Sequence, residues 1–321
     1  MAVAGVAGVA GCTTGKSHDA PASSRGGLAR RVLGRTGEKV TILGLGCAYA
    51  AGKADEAQTR ATIEAALEGG VRYFDMAPNY GDCEKRLGPL LSPMRDEIFL
   101  VTKVDSQTAR EAEANLTNSL KLLKTDHVDL LLQHGVGLPG SWSDTGAILG
   151  KGGSLEFLRQ AKAKGLARFI GLSVHPPFDK ALILLDAAAD WDVVMPFVNY
   201  VARVEFDAET VIVGRAQRHG LGVTAMKVLG GGGQLADAYD RAFRYALSVP
   251  GVSCALIGAK NVEEVQRAVR AAREYRPLTT AELEDTIRLG RELVRAKSAK
   301  VALLHRHVAR DFGAEMNLAI T

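Results

Sequence analysis

From Val40 onward, short apolar runs alternate with helically patterned stretches eight times over. That order is the mark of strand–crossover–strand units building a parallel sheet. The runs cover 40–46, 71–75, 98–103, 128–134, 167–172, 193–199, 221–226 and 253–257. Between them, apolar residues at three- and four-residue spacing predict helices over 56–67, 108–123, 155–164, 208–218, 235–247 and 262–273. Eight such units in series close into a barrel, which routinely fills about 250 residues as one domain. An open doubly wound sheet uses the same elements, but it needs a Gly-x-Gly-x-x-Gly turn after the first strand, and Gly44, Gly46 and Cys47 do not supply one. The expectation is therefore an α/β fold, a (β/α)8 TIM barrel.

Two additions frame it. Residues 31–40 alternate around Thr36-Gly37, which predicts an N-terminal β-hairpin capping the barrel's bottom. After the eighth unit, 280–296 reads as an extra C-terminal helix, with Leu283, Ile287 and Val294 on one face and Gly290 as a small residue between them. The barrel domain is assigned to 29–298, a disordered or targeting remnant to 1–28, and an unassigned tail to 299–321.

Charged residues make up 24% of the 321, and the net charge is +4, so basic residues are mixed with acidic ones and form no tract for nucleic acid. The four cysteines, Cys12, Cys47, Cys83 and Cys254, lack metal-site or disulfide-scaffold spacing. His305 and His307 read as solvated, and no metal site is expected. Residues 1–11 are only Met, Ala, Val and Gly, too short to span a bilayer. Val9-Ala10-Gly11-Cys12 is similar to a lipoprotein cleavage site without the preceding Lys or Arg. Two readings stay open: a cytoplasmic protein with a disordered tail, or a membrane-anchored lipoprotein through Cys12 whose start codon lies upstream. Gly11 to Ser17 also resembles a phosphate loop, but Ala10 stands where its first glycine belongs.

In such barrels catalytic groups project from the C-terminal ends of the strands. The second, third and fourth runs end at Asp75, Lys103 and His134, and Tyr80 follows in the Pro78–Gly81 turn. A phenol titrates near ~10 and is a poor acid at neutral pH. Lys103 beside Tyr80 is expected to lower that value, Asp75 to hold the ammonium, and His134 to donate a hydrogen bond where negative charge develops on a carbonyl oxygen. A lysine Schiff base is the weaker alternative, because Asp75 keeps the amine protonated.

Leu33-Gly34-Arg35-Thr36-Gly37, Gly44-Leu45-Gly46, Tyr73-Phe74-Asp75 with Tyr80-Gly81, Val101-Thr102-Lys103 and Leu131-Leu132-Gln133-His134 occur in that order, and together they resemble the aldo-keto reductase family over residues 31 to about 273. The resemblance implies an NADPH-dependent oxidoreductase that reduces an aldehyde or ketone, with Tyr80 as acid/base and Asp75, Lys103 and His134 in support. A cofactor-binding sensor or accessory subunit with little turnover is the alternative. Ser173 and Asn199 are expected at the nicotinamide. After the seventh run come Met226, Lys227, Leu229 and Gly231, where a glycine-rich loop either approaches a pyrophosphate or is simply flexible. Gly258, Lys260 and Glu264 resemble the family's adenosine-phosphate segment, where a cation at a helix N-terminus favours NADP. Met195, Met226 and Ala268 depart from the family's Gln, aromatic and Asn. Tyr49 and the loop 135–153, with Leu138, Trp142 and Ile148, are expected to line the pocket for a small carbonyl substrate. Oligomeric state is not legible.

Overall fold

The computed structural model describes residues 27–50, 55–138, 140–231 and 233–296. The readings made for Cys12, for the phosphate-loop-like segment and for the tail beyond 299 lie outside the described residues.

Strands β1 (Arg30–Val32) and β2 (Lys39–Thr41) pair antiparallel as the expected hairpin. The remaining strands are β3 (Leu43–Gly46), β4 (Tyr73–Asp75), β5 (Phe99–Val104), β6 (Val128–Val136), β7 (Ala167–Val174), β8 (Val193–Pro196), β9 (Gly222–Ala225) and β10 (Val252–Gly258). Each pairs parallel with the next, and β10 returns to β3, so the barrel is closed. Register sets the stagger at the mouth: Gly46 lies opposite Asp75, Asp75 opposite Val101, and Lys103 opposite Leu132.

The hairpin seals the bottom because its turn fits the start of β9. Gly34 has φ +51°, and a Cβ there would lie 2.2 Å from the Gly222 nitrogen, so no side chain is tolerated. Leu33 is fully buried beside it. Arg31 then reaches the last barrel unit, donating at 2.8 Å to the carbonyls of Leu247 and Val252.

The expected run 40–46 is two strands, not one. It breaks at Ile42, whose N–H goes back to the Ala29 carbonyl at 2.9 Å while β3 turns into the barrel. The run 193–199 ends early, at Pro196, and Asn199 instead caps the helix Tyr200–Phe206. Residues 208–218 form a wide π turn, Glu209–Val213, followed by the helix Gly214–Arg218. The helix predicted over 235–247 starts at Tyr239 and runs to Ser248.

Cys83–Leu91 and Asp179–Ala187 are helices that apolar spacing did not announce, and Thr145–Leu149 adds a short one inside the loop after β6. The first contains Gly88 and Pro89, residues that ordinarily break helices. Gly88 is required by packing, since a Cβ there would meet the Leu122 carbonyl of the neighbouring helix Ala109–Leu123 at 2.1 Å.

The extra helix is present as Thr280–Arg295, opened by a Thr279/Glu282 capping box. Gly290 lets it approach the helix Tyr200–Phe206, where a Cβ would lie 2.4 Å from the Tyr200 carbonyl. No helix among the described residues is long and apolar enough to cross a membrane.

Candidate active site

Because β4, β5 and β6 are neighbours, their C-terminal ends bring Asp75, Lys103 and His134 together at one side of the barrel mouth. Lys103 is 1% exposed, and its Nζ donates to Asp75 Oδ1 at 2.7 Å and to the Met76 carbonyl at 2.6 Å. Burying an ammonium is costly unless it is paired and hydrogen-bonded, and both conditions are met here. The same Nζ lies 4.9 Å from the centre of the Tyr80 ring, on its face. The ring of His134 meets that of Tyr80 edge-on, with centroids 5.9 Å apart. All four residues expected to carry the chemistry are therefore in one cluster.

The phenol's electrostatics run opposite to the sequence expectation. Burial, then the negative charges of Asp75 and Asp105, push Tyr80 well above its ordinary value, and Lys103 does not reverse this. The reason is geometric: the lysine charge is already committed to Asp75 and Met76. Tyr80 is held as the neutral acid.

A cavity of about 400 Å³ opens beside this cluster, and its lining includes Asp75 and Tyr80 as well as Lys260, Glu264 and Arg267. Met226, Lys227, Leu229 and Gly258, all expected to touch a cofactor, line it too. Asn261 caps the helix Val262–Arg273, accepting from the Glu264 N–H at 2.9 Å, while the Glu264 carboxylate accepts from the Lys260 N–H at 2.8 Å. Lys260 lies over Tyr49, 5.9 Å from the ring centre, and Arg267 over Tyr239 at 4.3 Å. The Tyr239 hydroxyl is buried and has no hydrogen-bond partner. A cavity lined by three cations, Lys227, Lys260 and Arg267, with an unsatisfied hydroxyl at its wall, has the donors to hold an anionic cofactor.

Other expected residues stand elsewhere. Tyr49, expected at the substrate pocket, lines this same cavity. Trp142 lies outside it, stacked on His134 with centroids 6.3 Å apart. Ser173 is fully buried behind Met226, its hydroxyl 4.0 Å from the thioether sulfur. Asn199 does not line the cavity, because its side chain is spent on protein: its oxygen accepts from the N–H groups of Val201 and Ala202, and Nδ2 donates to the Lys227 carbonyl at 3.0 Å. It thereby clamps Lys227, which has φ +54°. Gly231 does not line the cavity either, while its neighbour Gly230 does.

Asp105, Arg267 and Tyr239 are site residues that sequence reasoning did not single out. Asp105 accepts a hydrogen bond from His134 Nδ1 at 2.5 Å. It stands two residues after Lys103, the spacing that returns a strand side chain to the same face, and that signal was available. Among the described residues no group of three or more His, Cys, Asp or Glu is arranged to hold a metal ion.

The family model described as the aldo/keto reductase family matches residues 42–243. Aldo-keto reductase family 1 member A1 of Cricetulus griseus is 29% identical over 241 residues, which is 68% of this chain and 68% of that protein. Methylglyoxal reductase DkgB of Salmonella typhi is 30% identical over 184 residues, 55% of this chain and 64% of that one. A solved aldo-keto reductase from Bacillus halodurans, in its holo form, has the same fold, with a TM-score of 0.67 at 22% identity over 82% of this chain and 96% of that one.

Proposed function

Because the chain belongs to the aldo/keto reductase family, we propose that it reduces the carbonyl of a small aldehyde or ketone to an alcohol, with NADPH as cofactor and Tyr80 as proton donor. The observation that carries this reading is the pairing of a neutral, buried phenol with an ammonium held 4.9 Å from its ring.

Bound NADPH would supply the hydride. Lys260 and Arg267 would hold its phosphorylated adenosine end, the backbone at Leu229 and Gly230 its middle, and Met226, backed by Ser173, its nicotinamide end. The carbonyl would lie between Tyr80, His134 and Trp142, its oxygen toward the phenol. As negative charge grows on that oxygen, Tyr80 gives up its proton, and the phenolate left behind is stabilised by Lys103, which Asp75 keeps charged and in position. The lysine thus acts on the charge that develops, with little influence on the resting phenol. The reaction belongs in the cytoplasm, where NADPH is maintained. Intact mass of the protein from its native host checks this, because an acylated Cys12 would overturn it.

Tyr80→Phe should lower the turnover of a reactive aldehyde such as methylglyoxal by about 10²- to 10⁴-fold while NADPH binding, followed by fluorescence, persists. Full activity in that variant would overturn the assignment. NADPH binding by the native chain with no turnover across an aldehyde panel would favour a sensor or accessory subunit instead.

A further inference from the structure

Gln133 precedes His134 on β6, so its side chain leaves the strand on the opposite face, toward the helices. It is fully buried, and its amide is fully used. Nε2 donates to the Ser106 carbonyl at 2.8 Å and to the Trp142 carbonyl at 3.0 Å, while Oε1 accepts from Ser154 Oγ at 2.7 Å. Two carbonyls facing one atom require a nitrogen with two hydrogens, so neither a carboxylate nor an apolar chain of the same length is equivalent. One side chain thus joins the loop after β5, the loop after β6 and the start of the helix Ser154–Ala163. The two loops are also stitched to each other: the Ala109 N–H donates to the Gly152 carbonyl at 2.8 Å, the Ser154 N–H to the Gln107 carbonyl at 2.9 Å, and Gln107 Nε2 to the Ser141 carbonyl at 3.3 Å. On either side of Trp142, the buried hydroxyls of Ser141 and Ser143 lie 2.9 Å apart. From this braced loop the indole reaches His134, the two rings 19° from parallel with centroids 6.3 Å apart.

We propose that Gln133 is a positioning residue for substrate selection: by pinning the Trp142 carbonyl to the strand that carries His134, it makes the indole a fixed wall of the carbonyl site, in place before an aromatic aldehyde or ketone packs against it. This rests on the reductase reading above. A wall already in place avoids the entropy loss of ordering a loop on binding, and the gain goes to substrates large and flat enough to reach it. The loop after β5 keeps anchors of its own, since the Asp105 N–H donates to Asn115 Oδ1 at 2.7 Å and Ser106 Oγ to Glu111 Oε2 at 2.9 Å. What Gln133 adds is the position of Trp142.

Gln133→Met keeps the length of the side chain and removes both donors. In the NADPH holoenzyme it should raise KM for 4-nitrobenzaldehyde about tenfold, while kcat and the KM for methylglyoxal stay within about threefold of wild type. Trp142→Ala should raise KM for the aromatic aldehyde by a similar factor, and adding Gln133→Met to it should cost nothing further, because the glutamine acts through the indole. An unchanged KM in Gln133→Met, equal losses for both aldehydes, or a full second loss in the double variant would overturn the proposal. The heteronuclear ¹⁵N NOE of the indole N–H groups needs no turnover. The chain has two tryptophans, and Trp191 is the rigid reference, buried with its N–H on the Leu184 carbonyl at 2.8 Å. Trp142, assigned by the loss of its signal in Trp142→Ala, should be as rigid as Trp191 in the native protein and should loosen in Gln133→Met. A mobile Trp142 in the native protein, or one still rigid in the variant, would also overturn the proposal. Should Gln133→Met fail to fold, Gln133→Glu, which keeps the bond from Ser154 and sets an oxygen against both carbonyls, carries the same expectations. If no aldehyde is reduced at all, the reductase reading fails, and the NOE still decides whether Gln133 fixes Trp142.

Discussion

Lys260 and Arg267 both line the cavity and each lies over an aromatic ring, so they present charge with little side-chain freedom left to lose on binding. On the function proposed above they meet the extra phosphate of NADPH, which NADH lacks. Lys260→Ala and Arg267→Ala should each weaken NADPH about tenfold in a fluorescence titration and NADH much less. Equal losses for both dinucleotides would remove the argument for NADPH. Arg267 also shows what was legible at this scale and what was not. Asp75, Lys103 and His134 could be read because each is polar and ends an apolar run, and a strand end in a barrel has one place to point. Arg267 lies within a helix, where its pairing with Tyr239 depends on an element 28 residues earlier, and no local pattern carries that. Asn199 misled for the opposite reason. Its apolar run predicts a strand end, but the strand stops at Pro196 and the asparagine is the N-cap of the next helix.

Among the elements, the π turn at Glu209–Val213 carries an unusual buried charge. The Glu209 carboxyl accepts from the Tyr245 hydroxyl at 2.6 Å and pairs with Arg203 Nε at 2.9 Å, yet burial raises it to about 7. A carboxyl raised in the folded state favours the protonated form, so its contribution is complete below about pH 4.5 and is lost as pH rises through about 7. Glu209→Gln should therefore raise Tm by about 2–6 °C at pH 8 and hardly at all at pH 5, which a pair of thermal scans would check. An equal change at both pH values would show that packing, not ionisation, governs the site. Apolar spacing predicts continuous helix across the wide turn. Gly88 and Pro89 predict a break where Cys83–Leu91 is helical. At Cys83–Leu91, packing of Gly88 against the helix Ala109–Leu123 outweighs local propensity.

Across the whole molecule, chemistry and stability are divided between the two ends of the barrel. At the bottom, Asp129 is 2% exposed and accepts from Arg95 at 2.8 Å, from Arg168 at 2.6 Å and from the Leu100 N–H at 2.7 Å. His134 stands five residues further along the same strand, about 16 Å away. Asp129→Asn should leave two arginines short of a charge partner and cost about 3–5 kcal/mol, a fall in Tm of about 10 °C. Its kcat at 25 °C should stay within about twofold of wild type, as expected for a change remote from the mouth. The order of the eight strands was legible from the alternation alone, whereas closure was an inference that the β10–β3 ladder has now replaced with hydrogen bonds.

That ladder also bears on how the chain is made. β3 is among the first strands to leave the ribosome, and its partner β10 is the last of the barrel to do so. Through most of synthesis, then, the nascent sheet carries an open edge, with backbone N–H and C=O groups ready to pair with any extended chain nearby. Arg31, waiting in the hairpin for the carbonyls of Leu247 and Val252, has nothing to hold until that late segment arrives. The ring and its bottom latch are thus completed together, once the segment 247–258 has emerged, and a chain stopped before residue 252 has neither.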